Sequence, residues 1–224
     1  MKKNDIITTK IENLGFNGEG ISHFDGTTIF VPFALPEEIV KVKILKVKGN
    51  IAFAKLVEIC EKSTYRQTCE CLVYGKCGGC QLQHLDYQKQ LDFKKQIVEN
   101  CLKKIAHLDI CTENVVASPK IYHYRNKLQL PIRREKGVNK IGFFREGSHD
   151  IIEIEDCPLH PIWAKKIIKI IKNYIEQNAI SCYDESTNSG LLKHLVVREV
   201  SNKLLITLVA NGNSIPQVNR LIDE

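Results

Sequence analysis

The chain has 224 residues, 43% of them hydrophobic and 26% charged, and a formal net charge of +6 at pH 7. No run of about 18 apolar residues occurs, which argues against a membrane-spanning helix, and the first residues lack the apolar stretch of a signal peptide, so we expect a cytoplasmic protein. The excess positive charge lies between residues 61 and 137. Such an excess suits a nucleic-acid partner, although a solvated basic surface would have the same composition.

Residues 6–60 have the pattern of a small all-β domain. Val40, Val42 and Ile44 alternate with lysines, which is the period of a half-buried strand. Residues 28–31 and 53–57 are predicted as further strands, separated by glycine-rich turns. The glycines at 15–20 lead into strand residues rather than a helix, so they predict a turn and not a nucleotide-binding loop. Short strands with glycine turns favour a small barrel.

Residues 61–83 show no periodicity and contain four cysteines, so they are predicted to form a loop organised by something other than a hydrophobic core. Residues 84–106 are predicted to form a helix, because apolar side chains recur at helical spacing. The side chains expected on its buried face are Tyr87, Leu91, Ile97, Val98, Cys101, Leu102 and Ile105.

From residue 119 onward the pattern predicts a second domain of strands around one long helix. The helix is expected at residues 161–177, with a buried face formed by Ile162, Trp163, Ile167, Ile170, Ile171 and Tyr174. Short strands before and after it predict an α+β domain with a mostly antiparallel sheet.

Three clustered cysteines are the strongest chemical signal in the sequence. Cys71, Cys77 and Cys80 follow the spacing C-x5-C-x2-C, with glycines that let a short loop fold tightly. In a cytosolic chain such thiols predict a metal centre rather than disulfides. A cubane cluster needs a fourth cysteine, for which Cys157 is the best remote candidate and Cys69 a nearer competitor. The spacing leaves an iron–sulfur cluster and structural zinc both open.

The remaining cysteines are interpreted as isolated small hydrophobic residues; they are Cys60, Cys101, Cys111 and Cys182. Aromatic and basic side chains alternate in the second domain, a composition typical of surfaces that grip single-stranded RNA by stacking and by phosphate contacts. The predicted RNA-binding residues are Tyr124, Arg125, Lys127, Arg133, Arg134, Lys193, His194 and Arg198.

These motifs resemble known families. Residues 8–66 resemble a TRAM domain, an OB-like β-barrel found on RNA-modifying enzymes. That match rests on Leu14, Gly18, Gly20, Ile21, residues 30–36, Ser63 and Arg66. The remainder resembles the bacterial RNA uracil-C5 methyltransferases of the 23S rRNA type. Its matching blocks are Cys71-x5-Cys77-Gly78-Gly79-Cys80-Gln81-x-Gln83-His84, Tyr124-Arg125-Asn126-Lys127, Gly142-Phe143, Cys157-Pro158-Leu159 and residues 192–198.

The resemblance implies a β plus α+β fold in three regions. These are a TRAM (OB-like) RNA-binding barrel at 1–66, an iron–sulfur loop with a connecting helix at 67–118, and an incomplete central α+β domain at 119–224. It also implies that Cys71, Cys77, Cys80 and Cys157 ligate a 4Fe-4S cluster, which settles the fourth ligand. The implied partner is RNA, with rRNA favoured and tRNA possible, and no membrane is involved.

In that family, S-adenosylmethionine methylates uracil C5 after an enzyme cysteine has added to C6 of a flipped base. Here the sequence departs from the pattern, because no glycine-rich loop or catalytic cysteine block follows residue 120. No catalytic or cofactor-binding residue is therefore assigned, and the chain alone is expected not to methylate. Residues 216–219 are interpreted as the start of a helix. A domain ending near there is expected to expose a sheet edge and an apolar patch.

Two other functions fit parts of the pattern. The chain could be a stand-alone RNA-binding module with a structural iron–sulfur or zinc site, or a zinc-binding structural protein. Radical S-adenosylmethionine enzymes also combine TRAM domains with clusters, but they use a C-x3-C-x2-C triad that this sequence lacks.

Overall fold

A computed structural model describes residues 1–223 of the chain; Glu224, the last residue of the predicted central domain, lies outside the described residues. The chain divides into two compact units. The first contains residues 1–69 and 80–118, and the second contains residues 70–79 and 119–224. No helix among the described residues is both long enough and apolar enough to cross a membrane.

The first unit is built on one curved sheet followed by a helix. Its strand order is β1-β5-β6-β4-β3-β2, with β4 and β6 parallel and the other pairs antiparallel. The elements are β1 (Ile6–Lys10), β2 (Asn13–Leu14), β3 (Gly20–Phe24), β4 (Thr27–Val31), β5 (Ile39–Lys48), β6 (Ile51–Glu61) and α1 (Tyr87–Lys104).

The sheet curls so that strands β1 and β3, which are not neighbours in the sheet order, come into contact. The hydroxyls of Thr9 in β1 and Ser22 in β3 share a buried hydrogen bond. The amide of Glu12 donates to the carbonyl oxygen of Ile21 at 2.8 Å. The predicted alternation in β5 is confirmed, because its apolar residues Val40, Val42 and Ile44 are fully buried in the core inside this curl. Such curvature is what a small barrel requires.

The glycine-rich segment at 15–20 forms the predicted turn between β2 and β3. The amide of Gly18 donates to the carbonyl of Gly15 at 2.9 Å, and Gly18 has a φ of +86°. A left-handed backbone of this kind favours glycine over any residue with a Cβ. The interpretation as a turn rather than a nucleotide loop is therefore confirmed.

Helix α1 begins after Asp86, whose side chain accepts hydrogen bonds from the amides of Gln88 and Lys89. Its buried side chains are Leu91 and Phe93. The predicted burial of the far end is wrong, since Val98 is 50% exposed and Ile105 76% exposed. The segment that runs back along the helix meets it through polar contacts, such as the amide of Thr112 donating to Glu99 at 3.1 Å. These contacts leave apolar side chains near the carboxyl end uncovered.

The second unit is an antiparallel five-stranded sheet with one long helix, as predicted. The strand order is β11-β10-β7-β8-β9. The elements are β7 (Lys127–Glu135), β8 (Val138–Phe144), β9 (Ile151–Glu153), α2 (Trp163–Gln177), β10 (Leu192–Val200), β11 (Lys203–Ala210) and α3 (Val218–Ile222). The short helix α3 lies where residues 216–219 predicted a helix start.

The core of the second unit lies between the sheet and α2. The buried side chains of α2 are Ala164, Ile167, Ile168, Ile171, Tyr174 and Ile175. The predicted burial of Ile162 is wrong: it is 84% exposed, because the helix begins at Trp163 and Ile162 occupies the preceding cap position. The apolar face of the sheet is contributed by alternate residues of β7 and β10, including Leu128, Leu130, Leu195 and Val197.

Candidate metal centre and nucleic-acid interface

The two ends of the cysteine-rich loop are held together in the first unit. The amide of Gln67 donates to the carbonyl of His84 at 2.9 Å, and the amide of Asp86 donates to the carbonyl of Tyr65 at 2.9 Å. Arg66 and Leu85 form an antiparallel bridge between these bonds. The loop therefore has a closed base that is independent of any metal.

Arg66 fixes this base to the strand domain. Its Nε and Nη2 donate to the carboxylate of Glu38 at 2.5 and 2.8 Å, and Nη2 also donates to the carbonyl of Phe33 at 2.8 Å. The same carboxylate accepts the amides of Leu35 and Ser63. Burial raises the pKa of the Glu38 carboxyl, but the Arg66 hydrogen bond, the two amide bonds and the Arg66 charge outweigh it and hold the pKa below its ordinary value. The Ser63-x-x-Arg66 motif thus has a structural role.

Two predicted ligand sulfurs accept hydrogen bonds from N–H groups. The amide of Gly79 donates to Cys77 Sγ at 3.4 Å, and Nε2 of Gln83 donates to Cys80 Sγ at 3.3 Å. Gln83 is only 8% exposed, and its backbone carbonyl accepts a hydrogen bond from Nε2 of Gln67 at 2.9 Å. Bonds of this kind favour the thiolate form and are typical of sulfurs in iron–sulfur centres.

The first part of the loop belongs to the second unit, where it docks on the end of β8. The amide of Gly78 donates to the carbonyl of Phe144 at 3.1 Å, and Cys77 forms a bridge with Arg145. A Cβ on Gly78 would lie 3.1 Å from the Cα of Glu146 and 3.2 Å from its nitrogen. Glycine at this position allows the loop to approach the strand backbone closely.

Cys157 lies in the turn after β9, in the same unit as Cys71 and Cys77. Cys157 and Val73 of the loop both pack, partly buried, against the core of this unit. The turn is bonded to the predicted RNA-binding segment. The amide of His123 donates to the carbonyl of Pro158 at 2.9 Å, and the amide of Arg125 donates to the carbonyl of Leu159 at 3.0 Å. The sequence block around Cys157 and the block that contains Arg125 are therefore neighbours in the structure.

All four predicted ligands are partly exposed thiols. Within residues 1–223, however, no three His, Cys, Asp or Glu side chains are gathered closely enough to hold a metal ion. The donor chemistry fits a cluster, but the described side chains do not form an assembled centre. Of the cysteines interpreted as buried hydrophobic residues, Cys182 is buried, with its thiol pKa raised by burial to about 11. Cys60 and Cys111 are exposed, so that interpretation is wrong for them.

Several predicted RNA-binding residues share the face of the second sheet that is turned away from α2. Lys127 of β7 pairs directly with Arg198 of β10, and both side chains are exposed. His194 lies four residues from Arg198 on the same face, opposite Pro131. Burial lowers the pKa of His194, and the charges of Arg133 and Lys193 lower it further, so its imidazole is neutral at pH 7.

Arg133 is 8% exposed and its guanidinium is engaged with the protein. Nη1 donates to the carbonyl of Lys193 at 2.8 Å, and Nη2 lies 3.6 Å from a carboxylate oxygen of Glu185. Both Arg133 and the amine of Lys193 lie over the ring of Tyr183, at 5.3 and 4.1 Å from its centroid. Tyr183 was missed by sequence reasoning because it lies outside the basic segments, and its ring is half-buried beside them.

The other predicted RNA-binding residues lie near this face without joining it. Tyr124 is 54% exposed and, with Arg125, precedes β7. Arg134 is exposed in β7, next to the buried Arg133, and its amide donates to the carbonyl of Tyr183 at 2.8 Å. The structure thus places Lys127, His194 and Arg198 on one face, with Arg133 and Lys193 around Tyr183.

Comparisons with known proteins agree with this organisation. Residues 2–57 match the model of the TRAM domain. A Clostridium acetobutylicum protein named as an uncharacterized RNA methyltransferase is 41% identical over 227 residues, covering 99% of this chain and 49% of that protein. A Staphylococcus aureus protein of the same description is 38% identical, covering 99% of this chain and 50% of that protein.

A solved structure shows the same similarity. The crystal structure of the Pyrococcus abyssi tRNA (uracil-54, C5)-methyltransferase in complex with S-adenosyl-L-homocysteine matches with a TM-score of 0.73 and 29% identity, covering 96% of this chain and 48% of that chain. The chain therefore spans about half the length of the relatives it matches. It contains a TRAM domain at residues 2–57, and along nearly its whole length it is similar to part of proteins named as RNA methyltransferases.

Proposed function

We propose that this chain is the RNA-binding part of an S-adenosylmethionine-dependent RNA uracil-C5 methyltransferase. The similarity to RNA methyltransferases and to a tRNA uracil-C5 methyltransferase supports the reaction class. The observation that carries the RNA-binding role is the direct pairing of Lys127 with Arg198 on an exposed sheet face. Like charges directly opposite each other destabilise a sheet, so such a pair is explained best by an anionic ligand.

RNA phosphates are suited to this face because cations spaced along a strand track a charged backbone. Tyr124 and Arg125 before β7 would extend the contact toward the turn that carries Cys157, since their segment is bonded to that turn. Lys193 and His194 complete the proposed surface, and Arg133 supports it from beneath through Tyr183 and Lys193. Arg134, exposed in β7 but outside this face, would contact RNA beside it.

The test is the affinity of the chain for an unstructured oligoribonucleotide as a function of salt. Lys127→Gln with Arg198→Gln should weaken binding severalfold and reduce the salt slope by about 0.7 for each phosphate that is no longer neutralised. Lys165→Gln, an exposed lysine of α2 on the other side of the unit, is the matched control and should leave both quantities unchanged. Equal binding by all variants would rule this face out.

We further propose that Cys71, Cys77, Cys80 and Cys157 ligate a 4Fe-4S cluster. The N–H groups directed at Cys77 and Cys80 support thiolate ligands, and the shared unit of Cys71, Cys77 and Cys157 supports the remote fourth ligand. Such a cluster would fix the loop and the neighbouring segment that contains Tyr124, rather than take part in methyl transfer. Residues 67–118, with their helix α1, would then connect the TRAM domain to the central domain.

Metal analysis tests the cluster and its alternative. Anaerobically purified protein should be brown and hold about four irons and four sulfides per chain, and Cys77→Ser should lose them. Cys60→Ser, an exposed cysteine outside the loop, should retain them. A colourless protein with one zinc would instead favour the stand-alone RNA-binding module with a structural zinc site.

We propose rRNA as the substrate class. The alternative is tRNA, which is the substrate named for the similar Pyrococcus abyssi enzyme. S-adenosylmethionine would be bound by the full-length enzyme, and this chain alone is expected to bind RNA without forming 5-methyluridine. Incubating the full-length protein and this chain separately with labelled S-adenosylmethionine and either 23S rRNA or tRNA tests both points. Product formed by the chain alone would contradict the proposed division of roles.

A further inference from the structure

The outer face of the TRAM domain's sheet carries an aromatic pair in which Phe53 is exposed and Phe30 is half-buried. Phe53 of β6 is 46% exposed, and its ring lies 5.7 Å from that of Phe30, centroid to centroid, at an interplanar angle of 23°. The two residues are directly paired between β4 and β6. A large exposed ring that presents a flat surface to solvent is a platform on which a nucleobase can stack.

A β-bulge turns a lysine onto the same face. In β5 the core-facing residues are Val40, Val42 and Ile44, so unbroken alternation would point Lys46 inward as well. The register shifts between Ile44 and Lys46, and Lys46 is paired directly with the outward-facing Phe53. Bulges commonly redirect a side chain at a functional surface, and this one sets a cation beside the exposed ring.

Two more lysines of the same hairpin face each other. Lys43 of β5 is directly opposite Lys55 of β6, which follows Phe53 by two residues and shares its face. By contrast Lys41, two residues before Lys43, is opposite Glu58, an ordinary charge-complementary pair. None of Lys43, Lys46 and Lys55 takes part in an ion pair formed within residues 1–223. A like-charge pair costs stability unless an anion lies between the two amines.

We propose that this face, formed by Phe30, Phe53, Lys43, Lys46 and Lys55, binds single-stranded RNA. One base stacks on the ring of Phe53, which Phe30 supports from the side, and the lysines hold the flanking phosphates. The inference rests on the proposed RNA-binding function and adds a second contact surface, on the first unit, with a preference for unpaired nucleotides. A duplex keeps its bases stacked within the helix and does not offer a free base to the ring.

The experiment uses the full chain and an unstructured oligoribonucleotide of about 12 nucleotides with one 2-aminopurine, long enough to cover an OB-type surface. Fluorescence of 2-aminopurine reports stacking, and its titration gives the affinity. Phe53→Leu, which keeps apolar packing but removes the ring, should weaken binding about tenfold, in line with the loss of one base–aromatic stack, and abolish the fluorescence change. Phe53→Tyr should restore both.

The charge on the face is tested with a matched pair of variants in one strand. Lys43→Gln should weaken binding severalfold and reduce the salt slope by about 0.7, while its thermal stability equals or exceeds that of the wild type because a repulsion is removed. Lys41→Gln, opposite Glu58, should bind like the wild type.

The outcomes separate this inference from the function on which it rests. If the wild-type chain binds no RNA of any kind, the proposed function fails and this inference fails with it. If the wild type binds RNA and the Phe53→Leu and Lys43→Gln variants bind equally well, the RNA-binding function stands and this face is wrong. Binding of duplex RNA as tight as that of the oligoribonucleotide, and equally dependent on Phe53, would overturn the preference for unpaired nucleotides.

Discussion

Nε of Arg66 lies 2.5 Å from Oε1 of Glu38, whose side chain is completely buried. The pair joins the residue that precedes β5 to the base of the cysteine-rich loop, across 28 positions of sequence. Because the same carboxylate also accepts the amides of Leu35 and Ser63, one buried charge organises both segments. The orientation of the loop base therefore depends on this pair.

Arg66→Ala should strongly destabilise the first unit. It leaves the Glu38 carboxylate buried without its counter-charge, and breaking a buried pair in this way costs about 3–5 kcal/mol. Hydrogen–deuterium exchange of β5 and β6 peptides measures the effect within this unit. Lys103→Ala is the control, because it removes a highly exposed pair with Asp109 at 3.5 Å in the same unit, and exposed pairs contribute little to stability. Equal changes in the two variants would contradict the role of the buried pair.

Stability of the first unit should fall as the pH drops from 7 to 5, because of His84. Its imidazole is buried, and burial, followed by the charge of Arg66, lowers its pKa from 6.5 to about 4 despite the opposing charge of Glu38. Between these two pKa values the unfolded chain binds a proton that the folded chain does not. Stability is therefore fully present above pH 6.5 and decreases below it, by roughly 2 kcal/mol at pH 5.

The pH effect is measured by exchange protection of β5 and β6 at pH 7, 6 and 5, corrected for the intrinsic exchange rate. The Glu38 carboxyl has a pKa below its ordinary value, so its contribution is lost only at lower pH than this window. In His84→Gln the decrease between pH 7 and 5 should largely disappear, whatever the stability of the variant at pH 7. A decrease of the same size in the variant would assign it to another group.

Features of the fold that neighbouring residues determine could be predicted from the sequence, whereas features that depend on contacts between distant segments could not. Alternation in β5 correctly predicted the burial of Val40, Val42 and Ile44, since side-chain direction in a strand follows from the backbone alone. The bulge before Lys46 has no sequence signature, so the outward direction of that lysine could not be predicted. Pairing of Lys127 with Arg198 depends on the register of distant strands.

The candidate metal site shows the same division. Spacing and resemblance nominate four cysteines, and that assignment stays a prediction, whereas the grouping of residues 70–79 with the second unit arises from contacts far apart in sequence. The exposure of Ile105 and Ile162 was missed because helical periodicity indicates which face is apolar and not what covers it. Ile162 is exposed because it occupies the cap position before α2, and Ile105 is exposed because the segment beside the end of α1 meets the helix through polar contacts.

Gly78→Ala should weaken the docking of the cysteine-rich loop on β8. The added methyl group would lie 3.1 Å from the Cα of Glu146, closer than an ordinary contact, so the backbone at Glu146 must give way by a few tenths of an ångström, which disfavours docking. Exchange of the Phe144 to Glu146 segment and the iron content of anaerobically purified protein are the measurements, and protection and iron should both decrease. Leu72→Ala is the control, because Leu72 lies in the same loop and is 97% exposed, so the variant leaves the close approach of Gly78 to Glu146 unchanged. Identical behaviour of the two variants would show that close approach at Gly78 is unimportant.

The edge strand β11 should make the chain associate with itself. It lies at the end of the second sheet, and Leu205 is 66% exposed, with Ile206 and Val209 45% and 39% exposed. Unpaired backbone groups beside exposed apolar side chains are a template for pairing with another chain. Sedimentation velocity over a range of protein concentrations should therefore show association of the wild type. Leu205→Gln should reduce it without lowering the melting temperature.

Leu208 of the same strand is the matched comparison, because it packs against the core of the unit instead of facing solvent. Leu208→Gln should lower the melting temperature and increase association, since it opens the core beneath the edge. Leu205 and Leu208 lie on opposite sides of β11. Opposite effects of the two substitutions on self-association would therefore place the contact between copies on the outer side of this strand. Association that is unchanged in Leu205→Gln would place the contact elsewhere on the molecule.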